Sequence, residues 1–156
     1  MAKSEKRLGE LLIEKGKITQ QQLAAALAEQ SRTKEFLGIV LLKNKLITEK
    51  DLLMTLSAQF DIPVVSIKNK YIDWNLVKGF GPSLILDYRC FPIHKDSRAV
   101  TFAITNPLDV WVLKKAEEEA RGLKIKLVLT SQGDMDETVQ RYRQYMIKEN
   151  ISGRLK

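Results

Sequence analysis

The residue types able to carry reaction chemistry are few here, and their spacing keeps them apart. Cys90 is the only cysteine and His94 the only histidine. A thiol and an imidazole can form a nucleophile and its base. These two, however, bracket the strand-like run Phe91-Pro92-Ile93, and residues four apart along a strand are separated by about 13 Å. They are also too few for zinc, which takes about four ligands. Glu117, Glu118 and Glu119 are consecutive on a predicted helix, where a solvated acidic face is expected. Neither Gly-x-x-x-x-Gly-Lys-Ser/Thr nor Gly-x-Gly-x-x-Gly occurs, so both glycine-rich phosphate cradles are missing. No catalytic or metal-binding residue is assigned, and the chain is read as non-enzymatic.

What remains is recognition chemistry, concentrated near the N-terminus. Arg7 carries a planar guanidinium that can grip a phosphate or the acceptor edge of guanine with paired hydrogen bonds. Gly9 follows it inside a helical stretch whose Leu8, Leu11 and Leu12 share one face. Glycine there costs up to about 1 kcal/mol relative to alanine, so a close approach by another backbone or a ligand is expected.

The same arrangement recurs downstream. Residues 7–30 align without a gap on residues 36–59, an offset of 29. The identities are Leu8/Leu37, Gly9/Gly38, Leu12/Leu41, Ile18/Ile47, Thr19/Thr48, Leu23/Leu52, Leu27/Leu56 and Gln30/Gln59. Each copy reads as a short helix, a turn and a longer helix. Gly16 suits a left-handed C-terminal residue, and Thr19 with Gln22 has capping-box spacing. In copy two Thr48 and Asp51 take the cap positions, and Asn44 is expected to take over the left-handed turn. The linker Ser31–Glu35 joins the hairpins into a four-helix unit over residues 1–60.

From Asp61-Ile62-Pro63 the pattern changes. Val64–Ile67 reads as a short strand, Ile72–Lys78 as a helical turn or two anchored by Trp74, and Pro82 as the start of a short helix. Residues 90–93 and 99–104 read as paired strands around the turn Lys95–Arg98. Asn106-Pro107 has the form of a helix start running to Arg121, with Gly122 as its stop. Lys124–Leu129 is a further strand, and Ser131 opens a last helix through Tyr145. The fold class is α+β: the helical repeat unit, then a small α/β domain over 61–146 with a three- to four-stranded sheet, then a polar tail over 147–156.

Composition bounds the rest. With 44% apolar and 29% charged residues in 156, the chain can bury a core without disulfides. Its longest apolar runs fall far short of the roughly 20 residues that cross a bilayer, and no signal segment opens it, so a cytoplasmic protein without direct membrane insertion is expected. The net charge of +7 permits attraction to nucleic acid, anionic lipid or an acidic protein surface; a solvated basic surface is the expectation, with docking on an acidic partner as the alternative. Basic residues are not interleaved with aromatics, which argues against a nucleic acid polymer as partner.

The repeats, with Arg-Leu-Gly-x-x-Leu, Gly-x-Ile-Thr, Gln-Leu, Ala-Leu and Gln in copy one, resemble the N-terminal domain of type II secretion and type IV pilus assembly ATPases. Ala103-Ile104-Thr105-Asn106-Pro107-Leu108-Asp109 resembles a later strand-to-helix segment of that domain. The resemblance implies docking on the cytoplasmic part of an inner-membrane platform protein, with the domain peripheral to that membrane through its partner. For one branch of the family it implies cyclic di-GMP as ligand. Carried over by position, the ligand pattern falls on Arg7, Leu8, Gly9, Leu23, Leu27 and Gln30 of copy one, and on Leu37, Gly38, Leu52 and Leu56 of copy two, with Asp109 as a polar contact. Copy two departs from it at Phe36, which stands where a cation is expected, at Ile39 and at Asn44-Lys45.

Overall fold

In the computed structural model, which describes residues 3–155, copy one folds as α1 (Lys3–Glu14) and α2 (Gln20–Thr33) and copy two as α3 (Leu37–Lys43) and α4 (Glu49–Phe60). The second helix of each pair is opened by a capping box. Thr19 Oγ1 accepts from the Gln22 N–H at 3.1 Å while Gln22 Oε1 accepts from the Thr19 N–H at 2.9 Å. Thr48 and Asp51 repeat the exchange at 3.1 Å each way. The first helices end alike too. The Lys17 N–H reaches the Leu12 carbonyl and the Gly16 N–H that of Ile13; Leu46 and Lys45 do the same to Leu41 and Leu42. That double closure requires a left-handed residue. In copy two it is Lys45, at φ 58°, and not Asn44, which keeps φ −84°. Register with Gly16 decides the position, whatever residue occupies it.

Leu8, Leu12, Leu37, Val40 and Leu41 are fully buried in this unit, with Leu23, Leu52, Leu53 and Leu56 nearly so. Two long-range polar links tie its ends. Phe36 offers α3 no side-chain cap, and the buried Glu5 of α1 supplies one by accepting from the Leu37 N–H at 3.0 Å. Gln59 Nε2 donates to the Ser4 carbonyl at 2.9 Å.

The chain divides into two units, Met1–Ile62 and Pro63–Lys156. In the second, β1 (Phe91–Lys95) and β2 (Ala99–Ile104) form an antiparallel hairpin, and β3 (Lys124–Leu129) lies parallel to β2 on its other side. The parallel pair is connected by α7 (Val110–Ala120), the usual crossover for such strands. Before the sheet come α5 (Trp74–Val77) and α6 (Pro82–Leu86), and after it α8 (Gln132–Leu155). Phe91, Ala103 and Val128 of the sheet pack with Met135, Val139 and Tyr142 of α8, and Trp74 stacks on Tyr145 with ring centroids 4.3 Å apart.

Three expectations for this unit change. Val64–Ile67 is not a strand: only Val64 bridges to Leu129. Asp134 draws the segment away, its Oδ2 accepting from Ser66 Oγ at 2.7 Å and from the Ile67 and Lys68 N–H groups at 3.0 and 3.1 Å. α7 starts at Val110, three residues after the expected Pro107. The Asn106 carboxamide turns back to the Leu108 N–H, and Asp109 takes the cap by accepting from Trp111 and Val112. Finally, α8 continues to Leu155 through residues expected as a polar tail. No proline interrupts its ladder beyond Tyr145, and Met146 still packs on the core.

Candidate functional site

The helical unit gathers most of the residues matched to the ligand pattern, but largely inside. Leu8, Gly9, Leu23, Leu37, Gly38, Leu52 and Leu56 are buried. The two glycines have a packing reason. A Cβ on Gly9 would stand 2.6 Å from Leu23 Cδ1, and one on Gly38 2.9 Å from Leu52 Cδ1. The close neighbour is therefore a leucine of the same hairpin, 14 residues on in both copies, where the spacing pointed to a backbone or a ligand.

Three of the matched residues in this unit reach solvent. Arg7 is half exposed on α1, its Nη1 3.3 Å from Glu10 and 3.5 Å from Glu14. Exposed pairs of this kind are worth about 0–1 kcal/mol, so the guanidinium is loosely held. Leu27 and Gln30 line a cleft of about 440 Å³ together with Glu5, Ser31, Lys34 and Glu35. Its two carboxylates are engaged, Glu5 with the Leu37 N–H and Glu35 with Lys43 Nζ at 2.5 Å. In copy two, Phe36 and Ile39 are half-buried. Gln59, the counterpart of Gln30, is spent on the Ser4 carbonyl.

Asp109 belongs to the second unit, where its carboxylate is committed to the α7 cap. It borders a second cleft of about 320 Å³ beyond the carboxyl end of β2, with Tyr88, Arg89, Asn106, Trp111 and Gln132 on the walls. Crevices at that end of a parallel pair are where ligands and partners of such sheets gather. Its arginine is already matched: Arg89 pairs with Asp136 and also reaches Gln132 Oε1 at 3.4 Å. Val110 and Trp111 are not, standing 67% and 68% exposed at the rim. The sequence reading passed over both. The signal that could have found them is the buried stripe Val112, Ala116 and Ala120, whose spacing leaves the two preceding residues facing away from the core.

Cys90 is fully buried, which pushes its thiol up to about 12, while His94 is exposed at the far end of β1. At neutral pH there is no thiolate to act as a nucleophile.

Comparison with known proteins adds the following. The family model described as the MshEN domain matches residues 60–149. Type IV pilus assembly ATPase PilB of Myxococcus xanthus (strain DK1622) is 26% identical over 136 residues, 87% of this chain and 24% of PilB. The chain thus spans about a quarter of that relative's length. A structure of MshE with cdg has a TM-score of 0.79 at 24% identity, covering 86% of this chain and 97% of that one. The N-terminal domain of XpsE has a TM-score of 0.70 at 18% identity, covering 90% and 96%. At these identities the structures establish the fold.

Proposed function

Since the chain belongs to the MshEN domain family, we propose that it works as a non-catalytic docking and regulatory domain of a type II secretion or type IV pilus assembly ATPase, binding the cytoplasmic part of an inner-membrane platform protein. The observation that carries this reading is the Val110–Trp111 pair, two large apolar side chains held in water by the first turn of α7 beside a cleft. Lys114 Nζ lies 5.6 Å from the indole centroid, so the ring is buttressed at its base. An exposed tryptophan next to a concavity is the usual anchor of a protein interface. Among the described residues no helix is long and apolar enough to cross a membrane. Calorimetric titration with the platform protein's cytoplasmic domain tests it. Trp111→Ala should weaken binding about 30-fold, the effect of losing a hot spot worth about 2 kcal/mol. Undiminished affinity in Trp111→Ala and Val110→Ala together would remove this surface from the interface.

A second reading is supported by a different observation, the reproduction of caps, turns and glycine–leucine contacts in both hairpins, and by the likeness to MshE solved with cdg, that is cyclic di-GMP. On this reading the helical unit senses cyclic di-GMP through Arg7 and Gln30. Copy two then supplies one cation fewer, since Phe36 replaces it. Losing a charge-assisted hydrogen bond costs about 1.5–3 kcal/mol, so binding should be roughly ten- to a hundred-fold weaker than at a site with both. Titration with cyclic di-GMP decides: absence of heat at high micromolar ligand ends the sensing role, and an unaltered Kd in Arg7→Ala would show that the ligand sits elsewhere.

A further inference from the structure

At the opposite end of the second unit from Trp111, three chain segments bring cationic side chains together. α7 runs about 15 Å from its exposed tryptophan to Arg121, at 1.5 Å per residue. Arg121 adopts φ 49° at its C-cap and the chain turns at once into β3. There the Lys124 N–H donates to the Arg98 carbonyl at 3.0 Å, setting Lys124 beside the β1–β2 turn that carries Lys95 and Arg98. Cross-strand register places Lys124 and Lys126 on one face of the sheet, with Lys126 level with Thr101, while Lys95, level with Val100 and Ile125, stands on the other face at the same end. Lys95, Arg98, Arg121, Lys124 and Lys126 are all exposed, and none forms an ion pair among the described residues.

The neighbouring carboxylates Asp96, Glu117 and Glu119 offset part of this charge, since accepting a backbone N–H leaves a carboxylate negative, but the five cations outnumber them. Asp96 is occupied by the Arg98 and Ala99 N–H groups at 2.8 and 2.9 Å. Glu119 accepts from the Gly81 N–H at 2.6 Å, and Glu118 faces Lys115. Glu117 is exposed. Between Lys95 and Arg121 lies a dent of about 170 Å³, floored by Phe80 and Leu123 and walled on one side by Glu119, whose carboxylate disfavours an anion inside it. The dent is too small for a row of peptide side chains. Phe80, the aromatic ring beneath Lys95, is buried, so no stacking platform for a single-stranded nucleic acid exists here.

We propose that this pole is an adsorption surface for the headgroups of anionic phospholipids. The domain then carries two surfaces at opposite ends of one sheet: the apolar Val110–Trp111 face and a cationic face that lies on the bilayer without entering it. This does not depend on the docking reading, because it uses different residues and a different ligand. Each exposed lysine or arginine near an anionic surface contributes roughly a fivefold gain in partitioning, and the effect fades with salt.

The test is co-sedimentation of the full chain with phosphatidylcholine vesicles with and without phosphatidylglycerol, at low and high salt. Binding should require phosphatidylglycerol and vanish at high salt. The triple variant Arg98→Glu, Lys124→Glu, Lys126→Glu should lose about 30-fold or more in partitioning, as should the milder glutamine version if the glutamates disturb folding. The control triple Lys6→Glu, Arg32→Glu, Lys50→Glu, of equal charge change in the helical unit, should retain most of it. Equal loss in both triples would mean that net charge alone is at work, and the site would be withdrawn. It would be withdrawn equally if vesicles of either composition stayed unbound, or if polyglutamate bound the pole and phosphatidylglycerol did not.

Discussion

The two units solve the same problem with different reach. In the helical unit nearly every turn is closed by hydrogen bonds between residues three to five apart: the boxes at Thr19 and Thr48 and the paired closures ending at Lys17 and Leu46. In the sheet unit the corresponding work is done across long separations. Asp134 holds residues 66–68, Glu119 holds Gly81, and Arg141 donates to the Lys70 carbonyl at 2.8 Å. A unit built on local closures can be duplicated whole, because each copy carries its own instructions. One built on distant ones cannot. The duplication is accordingly confined to residues 7–59.

The largest effect should come from the contact that both copies share. Gly9→Val places two methyls and a Cβ where Leu23 already lies, with Cδ1 2.6 Å from the Cβ position. Overpacking of a filled interior costs about 1–3 kcal/mol, and valine's restricted rotamers leave little relief. Gly38→Val should behave alike against Leu52. Urea denaturation reads the loss. Should both variants keep wild-type midpoints, the glycines are not there for the leucines, and the ligand explanation for them would return.

Next comes the long-range staple. Asp134→Ala removes the acceptor for Ser66 Oγ, for two backbone N–H groups and for Ser131 Oγ, and a loss of about 2 kcal/mol is expected. Burial pushes this carboxyl up, but its hydrogen bonds with Ser66, Lys68, Ser131 and Ile67 outweigh that and hold it below the usual carboxylate range. Its pKa is thus depressed on folding. The stabilisation is present above the unfolded value near 4 and is lost as pH falls through the folded value. Midpoints measured from neutral pH downward should drop more steeply below about pH 4 in wild type than in Asp134→Ala. Parallel curves would show that the staple contributes nothing.

These links also mark where sequence reasoning stops. Hairpins, caps and the Gly16 turn in residues 7–59 follow from periodicity and from spacings of three or four, which the chain displays locally, whereas the left-handed residue of copy two, expected at Asn44, falls on Lys45. That Gly9 meets Leu23 does not follow, since a gap of 14 residues says nothing about which faces touch. The missed start of α7 has the same root. Asn106-Pro107 satisfies the rule for a helix opening, but Asp109 offers a carboxylate to two N–H groups and wins the cap. Val64–Ile67 has strand composition, yet a residue near the other end of the unit sets its path. At the site, Arg7 stood out by its chemistry, whereas Trp111 became conspicuous only once α7 had a buried side.

The two capping boxes sharpen the comparison within the helical unit. Thr19→Ala and Thr48→Ala should each cost about 1 kcal/mol, but the boxes respond differently to acid. Gln22 does not titrate. The Asp51 carboxyl is held below its ordinary range by the Thr48 N–H and hydroxyl and by Lys17. The depressed value means that its share of the cap is present above about pH 4 and fades as pH falls through it. Amide hydrogen exchange in the first turn of α4 should therefore accelerate in acid, relative to the intrinsic rate, while the first turn of α2 does not. Equal responses would remove the distinction between glutamine and aspartate at that position.

The smallest effect tests the turn that the copies share in conformation but not in residue. Gly16 and Lys45 both sit in the left-handed region, at φ 71° and 58°. A Cβ at Gly16 would meet nothing within 4 Å, so no packing separates glycine from lysine there, only the backbone. The left-handed conformation costs an ordinary residue roughly 1–2 kcal/mol, against which glycine gives up some unfolded-state entropy. Lys45→Gly should therefore stabilise the chain by about 0.5–1 kcal/mol and Gly16→Lys destabilise it by a similar amount. The exchanged double variant should come out near wild type if the two turns are equivalent. If Lys45→Gly proves destabilising, the lysine side chain contributes something at that turn which glycine cannot, and the second copy has diverged there for a reason other than tolerance.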